Sequence, residues 1–164
     1  MSAPAIYQYQ IPDGLDGIYL TLALMAELAR SASLDSDIRA RAVTIISDVP
    51  ARDTLHEAVA IFNFVQARIR YTGDAEDAEL LSHPAATLQS GVGDCDDMAT
   101  LLAALLLSVG ISCQFVAVGF HAGELQHVYV AALINGQWVS LDPTEPYPAG
   151  WTPPNIVEMQ TWPV

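Results

Sequence analysis

The chain is 164 residues long and carries 19 acidic residues against six basic ones, a formal net charge of −13. Apolar residues make up 52% and charged residues 15%, which fits one folded, core-rich domain (1–164) and excludes a disordered acidic tail. Every cation is an arginine, no lysine occurs, and so acidic a surface repels phosphates, which excludes nucleic acid as a partner.

Residues Met1 to Gln10 lack the basic start and continuous apolar stretch of a secretory signal, so a cytoplasmic protein is expected. From Leu15 to Ala32 the residues Leu15, Ile18, Leu22, Met25 and Ala29 recur at helical spacing, and Asp37 to Ser47 repeats the pattern with Ile38, Ala42, Ile45 and Ile46. Pro50 breaks the chain. Asp53 or Thr54 can cap a third helix, in which Leu55, Val59, Phe62, Val65 and Ile69 form an apolar stripe ending before Gly73. Residues 1–70 therefore read as a helical N-terminal layer. Asp74 to Glu79 and the Pro84 region read as a surface loop leading to Gly91-Val92-Gly93-Asp94-Cys95.

From Met98 to Gly123 there is no charged residue. A membrane span is the rival reading, but Gly110 divides the stretch, Ser112 and Gln114 interrupt its second half, and neither flank offers a Lys or Arg anchor. The stretch reads instead as a buried helix, Met98 to about Val109, with Gly110 as its C-cap, and then a buried strand from Ser112 to Phe120. Two more strands are expected over His127 to Ile134 and Gln137 to Leu141, joined by Asn135-Gly136, the strongest short hairpin signal in the chain. The final 22 residues hold six of the ten prolines. Residues 145–164 thus read as an extended tail wrapped on the surface and open to a protein partner, while 71–144 form the core.

Charge divides unevenly along this plan. All six arginines lie at or before Arg70, whereas residues 71–164 hold eleven acids and no Lys or Arg. Partners meeting the second part should be neutral or cationic. Cys95 comes after two glycines and opens a strongly helical segment, where main-chain N–H groups and the helix dipole favour a thiolate and could later hold an oxyanion. Asp94, Asp96 and Asp97 oppose this by raising the thiol pKa. The counter-charge must come from a histidine. With a two-residue turn at Asn135-Gly136, Ile134 faces Gln137, Tyr129 faces Asp142 and His127 faces Thr144, so His127, Tyr129 and Asp142 share one face. Asp142 is then a diagonal neighbour of His127, about 7 Å or somewhat less between Cβ atoms, a gap the two side chains can close with a hydrogen bond. His121 lies in the preceding loop without such a partner. Cys95, His127 and Asp142 so fill the roles of nucleophile, general base then acid, and orienter. Taken singly, each has a plainer reading: a buried cysteine, a core histidine, a strand-ending Asp-Pro turn.

The runs Thr87-Leu88, Gly91-Val92-Gly93-Asp94-Cys95-Asp96-Asp97, Leu101 to Gly110-Ile111, His127-Val128-Tyr129-Val130, Gly136-Gln137-Trp138-Val139 and Leu141-Asp142-Pro143-Thr144 resemble the transglutaminase-like superfamily, a branch of the papain-like fold. The likeness covers about Arg52 to Thr144. It implies an α+β fold with a central helix led by Cys95 on a small antiparallel sheet, and it matches Cys95, His127 and Asp142 to the family's catalytic triad. It is also similar to short forms found beside structural genes of tailed phages and prophages, which would make the protein virion-associated if phage-encoded.

The resemblance implies cysteine-dependent acyl transfer on an amide, with hydrolysis of a peptide or isopeptide bond expected first. Transfer to an amine with crosslinking, and a non-catalytic phage-assembly module, remain the alternatives. Gln89, six residues before Cys95, is an oxyanion-hole candidate by the same resemblance and otherwise an exposed loop glutamine. Trp138 has the parity of Asp142 and either joins the site face or packs in the core. The acids around Cys95 lack the calcium-loop pattern, no two ligands have structural zinc spacing, and no cofactor is implied. Two cysteines make no disulfide framework and suit a reducing compartment.

Overall fold

The computed structural model describes residues 6–8, 14–73 and 80–164. A short strand β1 (Ile6–Gln8) leads into helices α1 (Leu15–Ser33), α2 (Ser36–Ile45) and α3 (Thr54–Arg68). Next come β2 (Arg70–Tyr71), β3 (Leu80–Ser82), α4 (Pro84–Ser90), β4 (Val92–Gly93) and the central helix α5 (Cys95–Ser108). Strands β5 (Cys113–Gly119), β6 (His127–Ile134), β7 (Gln137–Leu141) and β8 (Glu158–Pro163) complete the chain. This is the α+β architecture expected from the sequence, with helices on one side of an antiparallel sheet.

Helix α5 is built from Leu, Ala and Met, the strongest helix formers, and is buried nearly all round rather than along one stripe. Helices α1 to α4 pack around it, and β6 covers its remaining side. Met25, Ala29, Ile38, Phe62 and Val65 are among the buried contributions of α1, α2 and α3 to this core. Arg39 on α2 donates to the Ser108 carbonyl at the end of α5, tying the two helices together. Asp35 caps α2, accepting from the N–H groups of Asp37 and Ile38 at 2.7 and 3.3 Å. Of the two candidate caps for α3, Asp53 takes the role and accepts from the His56 N–H at 3.3 Å.

The Pro84 region, expected to be loop, is instead helix α4. Pro84 stands in the first turn, where its missing N–H costs nothing and its fixed φ is already helical, and the His83 ring accepts from the Ala85 N–H at 3.2 Å. The proline that reads as a breaker is therefore a helix start. The acidic stretch Asp74 to Glu79 lies outside the described residues.

The main sheet has the order β7-β6-β5-β8, antiparallel throughout. Asn135 (φ 51°) and Gly136 (φ 81°) make the two-residue turn, and Ile134 pairs with Gln137 as the hairpin reading required. Phe115, Val128, Val130, Ala132 and Leu141 face the helices, whereas Val116, Val118, Tyr129 and Ala131 face away and form a second small cluster with Phe120 and Ile156.

The tail departs from its expected form in one respect: Glu158–Pro163 is a full strand, β8, paired along β5 from Gly119–Glu158 to Gln114–Pro163. Four prolines upstream in the tail, Pro146, Pro148, Pro153 and Pro154, mask its weak alternation. At the sheet edge Pro163 has no ladder partner on its open side to disappoint. Among the described residues no helix is long and apolar enough to cross a membrane.

Candidate active site

Cys95 is the first residue of α5. Three local devices hold it there. Gly91 (φ 71°) closes α4 in the left-handed conformation, and the Gly91 and Gly93 carbonyls accept from the N–H groups of Arg70 and Thr72, both at 2.9 Å, so the turn before the cysteine is stitched to β2. Asp94 caps α5 and accepts from the Asp97 N–H at 2.9 Å. Asp97, only 7% exposed, accepts from the Ser82 N–H and hydroxyl at 2.8 and 3.3 Å, which anchors the helix start to β3. Gly93 is required by this packing: a Cβ there would lie 2.8 Å from the Asp97 Cβ and 3.2 Å from the Thr87 methyl.

The thiol is partly buried, with the Val128 main-chain N–H donating to it and the Asp96 carboxylate 3.5 Å away as its own acceptor. Its pKa is pushed well above the ordinary thiol value. Burial is the largest cause, with the negative charges of Asp96 and Asp94 next, and the Val128 N–H offsets only part of this. A helix dipole contributes about 0.3–1 kcal/mol at its first turn, whereas desolvation of a buried group can move a pKa by as much as about 3–5 units. Burial and the two acids win, and the resting group is a neutral thiol.

Val128 comes directly after His127 on β6, so the thiol stands at the start of the strand that carries the imidazole. The Nε2 of His127 lies 2.7 Å from Asp142 Oδ2. A carboxylate only accepts there, which puts the ring proton on Nε2 and leaves the Nδ1 lone pair free to take another. Asp142 is 3% exposed and is held in turn by Thr144, whose N–H and hydroxyl donate to Oδ1 at 3.1 and 2.7 Å. The Tyr129 ring lies 6.2 Å from the imidazole, its pKa raised by burial, with its hydroxyl hydrogen-bonded to Ser140.

His121, by contrast, lies in the exposed turn before β6, with Glu124 at 4.0 Å as its nearest acid. Gln89 is exposed in the last turn of α4. Trp138 keeps the parity of Asp142, on the outer face of the sheet, but is half exposed and does not pack in the core. Cys113 is a buried core thiol on β5, its pKa pushed up to about 12 by burial.

Beside His127 opens a cleft of about 590 Å³, lined by His127, Phe120, Glu145, Tyr147, Trp151 and Pro153 among others. The Tyr147 and Trp151 rings stack at 4.3 Å. The segment is pinned from two sides: Gln66 Nε2 on α3 donates to the Glu145 and Tyr147 carbonyls at 2.6 and 3.0 Å, and the Gly150 N–H donates to the Ser140 carbonyl at 2.7 Å. Sequence reasoning missed this wall because proline density signals an extended tail, not the cleft it encloses. It also missed Thr144 as the clamp on Asp142, although an Asp two residues before a free N–H is the ordinary side-chain turn signal.

A cysteine at the head of a core helix, packed on an antiparallel sheet that carries a histidine-carboxylate pair, defines a papain-like arrangement. Residues 39–143 match the family model of the transglutaminase-like superfamily, and the chain belongs to that superfamily. The match begins before Arg52 and so takes in most of α2. Among solved structures the chain is similar to a proposed cysteine protease from Cytophaga hutchinsonii, with TM-score 0.53 and 20% identity over 66% of this chain. It is also similar to a proposed protease from Parabacteroides distasonis, with TM-score 0.57 and 16% identity over 78% of this chain. It spans 37% and 27% of the lengths of those two proteins. No curated protein sequence matches it.

Proposed function

We propose that the protein is a cysteine-dependent acyl-transfer enzyme of the peptidase type, in which Cys95, His127 and Asp142 are nucleophile, general base and orienter. The observation that carries this reading is the 2.7 Å His127–Asp142 pair, which presents Nδ1 as a base at the strand start where the thiol sits. Family membership supports it. Because the thiol rests neutral, its proton passes to Nδ1 as Sγ attacks the amide carbonyl. The tetrahedral oxyanion then collapses, the C–N bond breaks, and the imidazolium gives its proton to the departing amine. Water, deprotonated by the same imidazole, adds to the thioester and releases the acid and the free thiol; an amine in place of water would give transfer instead. The main-chain N–H groups at the start of α5 are the proposed oxyanion donors, with Gln89 as a further candidate.

Mass spectrometry of peptide mixtures incubated with the protein and with Cys95→Ala tests this, since it reports the bond, the neighbouring side chains and the acceptor together. Cleavage or transfer that depends on Cys95 is expected; turnover unchanged in Cys95→Ala sinks the proposal. One observation favours a second reading, a non-catalytic assembly module of the phage type. Two carboxylates beside the thiol oppose its ionisation. That reading predicts a folded protein that forms no thioester at Cys95 and turns over no peptide in the same mixtures.

A further inference from the structure

The cleft beside His127 has a composition the proposed chemistry does not require. Its walls are aromatic and proline-rich, and among the described residues that line it Glu145 is the one carboxylate. Glu145 stands two residues before Tyr147 and six before Trp151, and these two rings stack face to face. No Lys or Arg occurs after Arg70 in the whole chain, and among the described residues Glu145 forms no ion pair that would neutralise its charge internally. The Gln66 bonds to the Glu145 and Tyr147 carbonyls hold main chain rather than carboxylate, so they set the wall's position and leave the charge available.

An acid beside an aromatic face is the complement of a cation carried on a long aliphatic stem. The stem lies against rings and prolines while the charged head meets the carboxylate and the ring quadrupole. An acidic side chain would meet like charge with no Lys or Arg to relieve it, His127 being the one lining group able to carry positive charge and already paired with Asp142.

We propose that this cleft is a specificity subsite for an arginine or lysine side chain of the peptide, next to the bond that Cys95 attacks, with Glu145, Tyr147 and Trp151 as its recognition residues. Gln66 is a positioning residue that fixes the wall against α3. This rests on the peptidase-type reading above for the role of the subsite, but the binding itself does not depend on turnover.

The test uses the full chain and four capped tripeptides, Ala-Arg-Ala, Ala-Lys-Ala, Ala-Leu-Ala and Ala-Glu-Ala, with binding read from NMR shifts of the Trp151 indole and from Trp fluorescence. The cationic peptides should bind about tenfold more tightly than the leucine peptide at low salt, a preference of the size that combined cation–π and exposed ion-pair contacts produce. The glutamate peptide should bind weakest. Glu145→Gln should cut the cationic preference about fivefold and flatten its salt dependence, whereas Glu27→Gln, a control at an exposed α1 site, should leave it intact. Gln66→Ala should weaken all four peptides alike without changing their order.

Equal binding of the four peptides, or no binding at millimolar concentration, overturns the subsite. Cysteine-dependent turnover without a cationic preference overturns it too, while leaving the proposed function standing. Cationic binding without any turnover supports the subsite and counts against the chemistry instead.

Discussion

Asp142→Asn separates the chemical role of the carboxylate from its structural one, because the two side chains are nearly the same shape. Asp142 serves two groups of donors: Oδ2 takes the His127 Nε2–H, and Oδ1 takes both donors of Thr144. An amide has one oxygen for both. If that oxygen stays on Thr144, the NH₂ faces the imidazole and forces the ring proton onto Nδ1. The base is then lost, and a charge-assisted bond worth about 1.5–3 kcal/mol becomes a neutral one worth about 0.5–1.5. If the oxygen turns to the ring instead, the NH₂ opposes the Thr144 N–H at close range, and an unmet donor adds about 1–3 kcal/mol. The first arrangement is cheaper, so the fold survives at a cost of about 1–2 kcal/mol, a fall in Tm of about 2–8 °C for a chain of this size. Turnover should fall far more, by up to the order of 10⁴-fold seen when a serine-hydrolase triad suffers the same change. Thermal unfolding and Cys95-dependent turnover of the responding peptide measure the two effects on one sample. A variant that keeps turnover within threefold of the parent while showing the expected Tm loss refutes the assignment of Nδ1 as the base.

The geometry predicts three further outcomes. Gly119→Ala would put a Cβ 1.6 Å from the Glu124 carbonyl oxygen, in a turn fixed by the Gln126 N–H donating to the Val118 carbonyl at 2.8 Å; overpacking against main chain should cost at least about 3 kcal/mol by urea titration, and a loss under 1 kcal/mol would contradict the close approach. Asp96→Asn removes the nearest charge opposing the thiolate, so the pH midpoint of iodoacetamide alkylation at Cys95 should move down, and an unchanged midpoint refutes a contribution from the Asp96 charge. Cys113 ionises near 9.0 when unfolded and at about 12 when folded, so above pH 9 the unfolded chain loses its proton first. Stability present below pH 9 should then decline through pH 12 by up to about 1.4 kcal/mol per pH unit from this thiol. Cys113→Ala should make the decline shallower in alkaline denaturant titrations.

The elements legible in the sequence are those whose signal is local. The helical stripes, Gly110 past the end of α5, and Asn135-Gly136 each encode their own geometry within a few residues, and the hairpin turn alone brings His127 and Asp142 together. What the sequence hides depends on which of two local meanings a residue takes. Pro84 marks a loop or a helix start according to the His83 cap, and Glu158–Pro163 is tail or strand according to whether β5 offers a free edge. The cleft is hidden for a third reason: its wall is made by residues 145–154 folding back onto α3 through Gln66, a contact across 79 to 81 residues that no periodicity records.

The state of the thiol needs this nonlocal information as well. A cysteine at a helix N-terminus suggests a depressed pKa from sequence position alone. Here that expectation loses to burial and to the two acids flanking the thiol, Asp96 in the first turn and Asp94 at the N-cap, the latter of which cannot be removed without loosening the turn that positions the cysteine. Asp94 thus serves the fold at the expense of thiolate formation. The compensation available is His127, whose Asp142 partner would stabilise the imidazolium formed when the thiol proton moves. Substrate binding over the cleft would expel water and strengthen that ion pair. On the proposed mechanism such a site would stay protonated until a peptide is bound, so alkylation of free protein and turnover of bound peptide should respond differently to Asp96→Asn: the first should rise, whereas the second would be governed by proton transfer to His127.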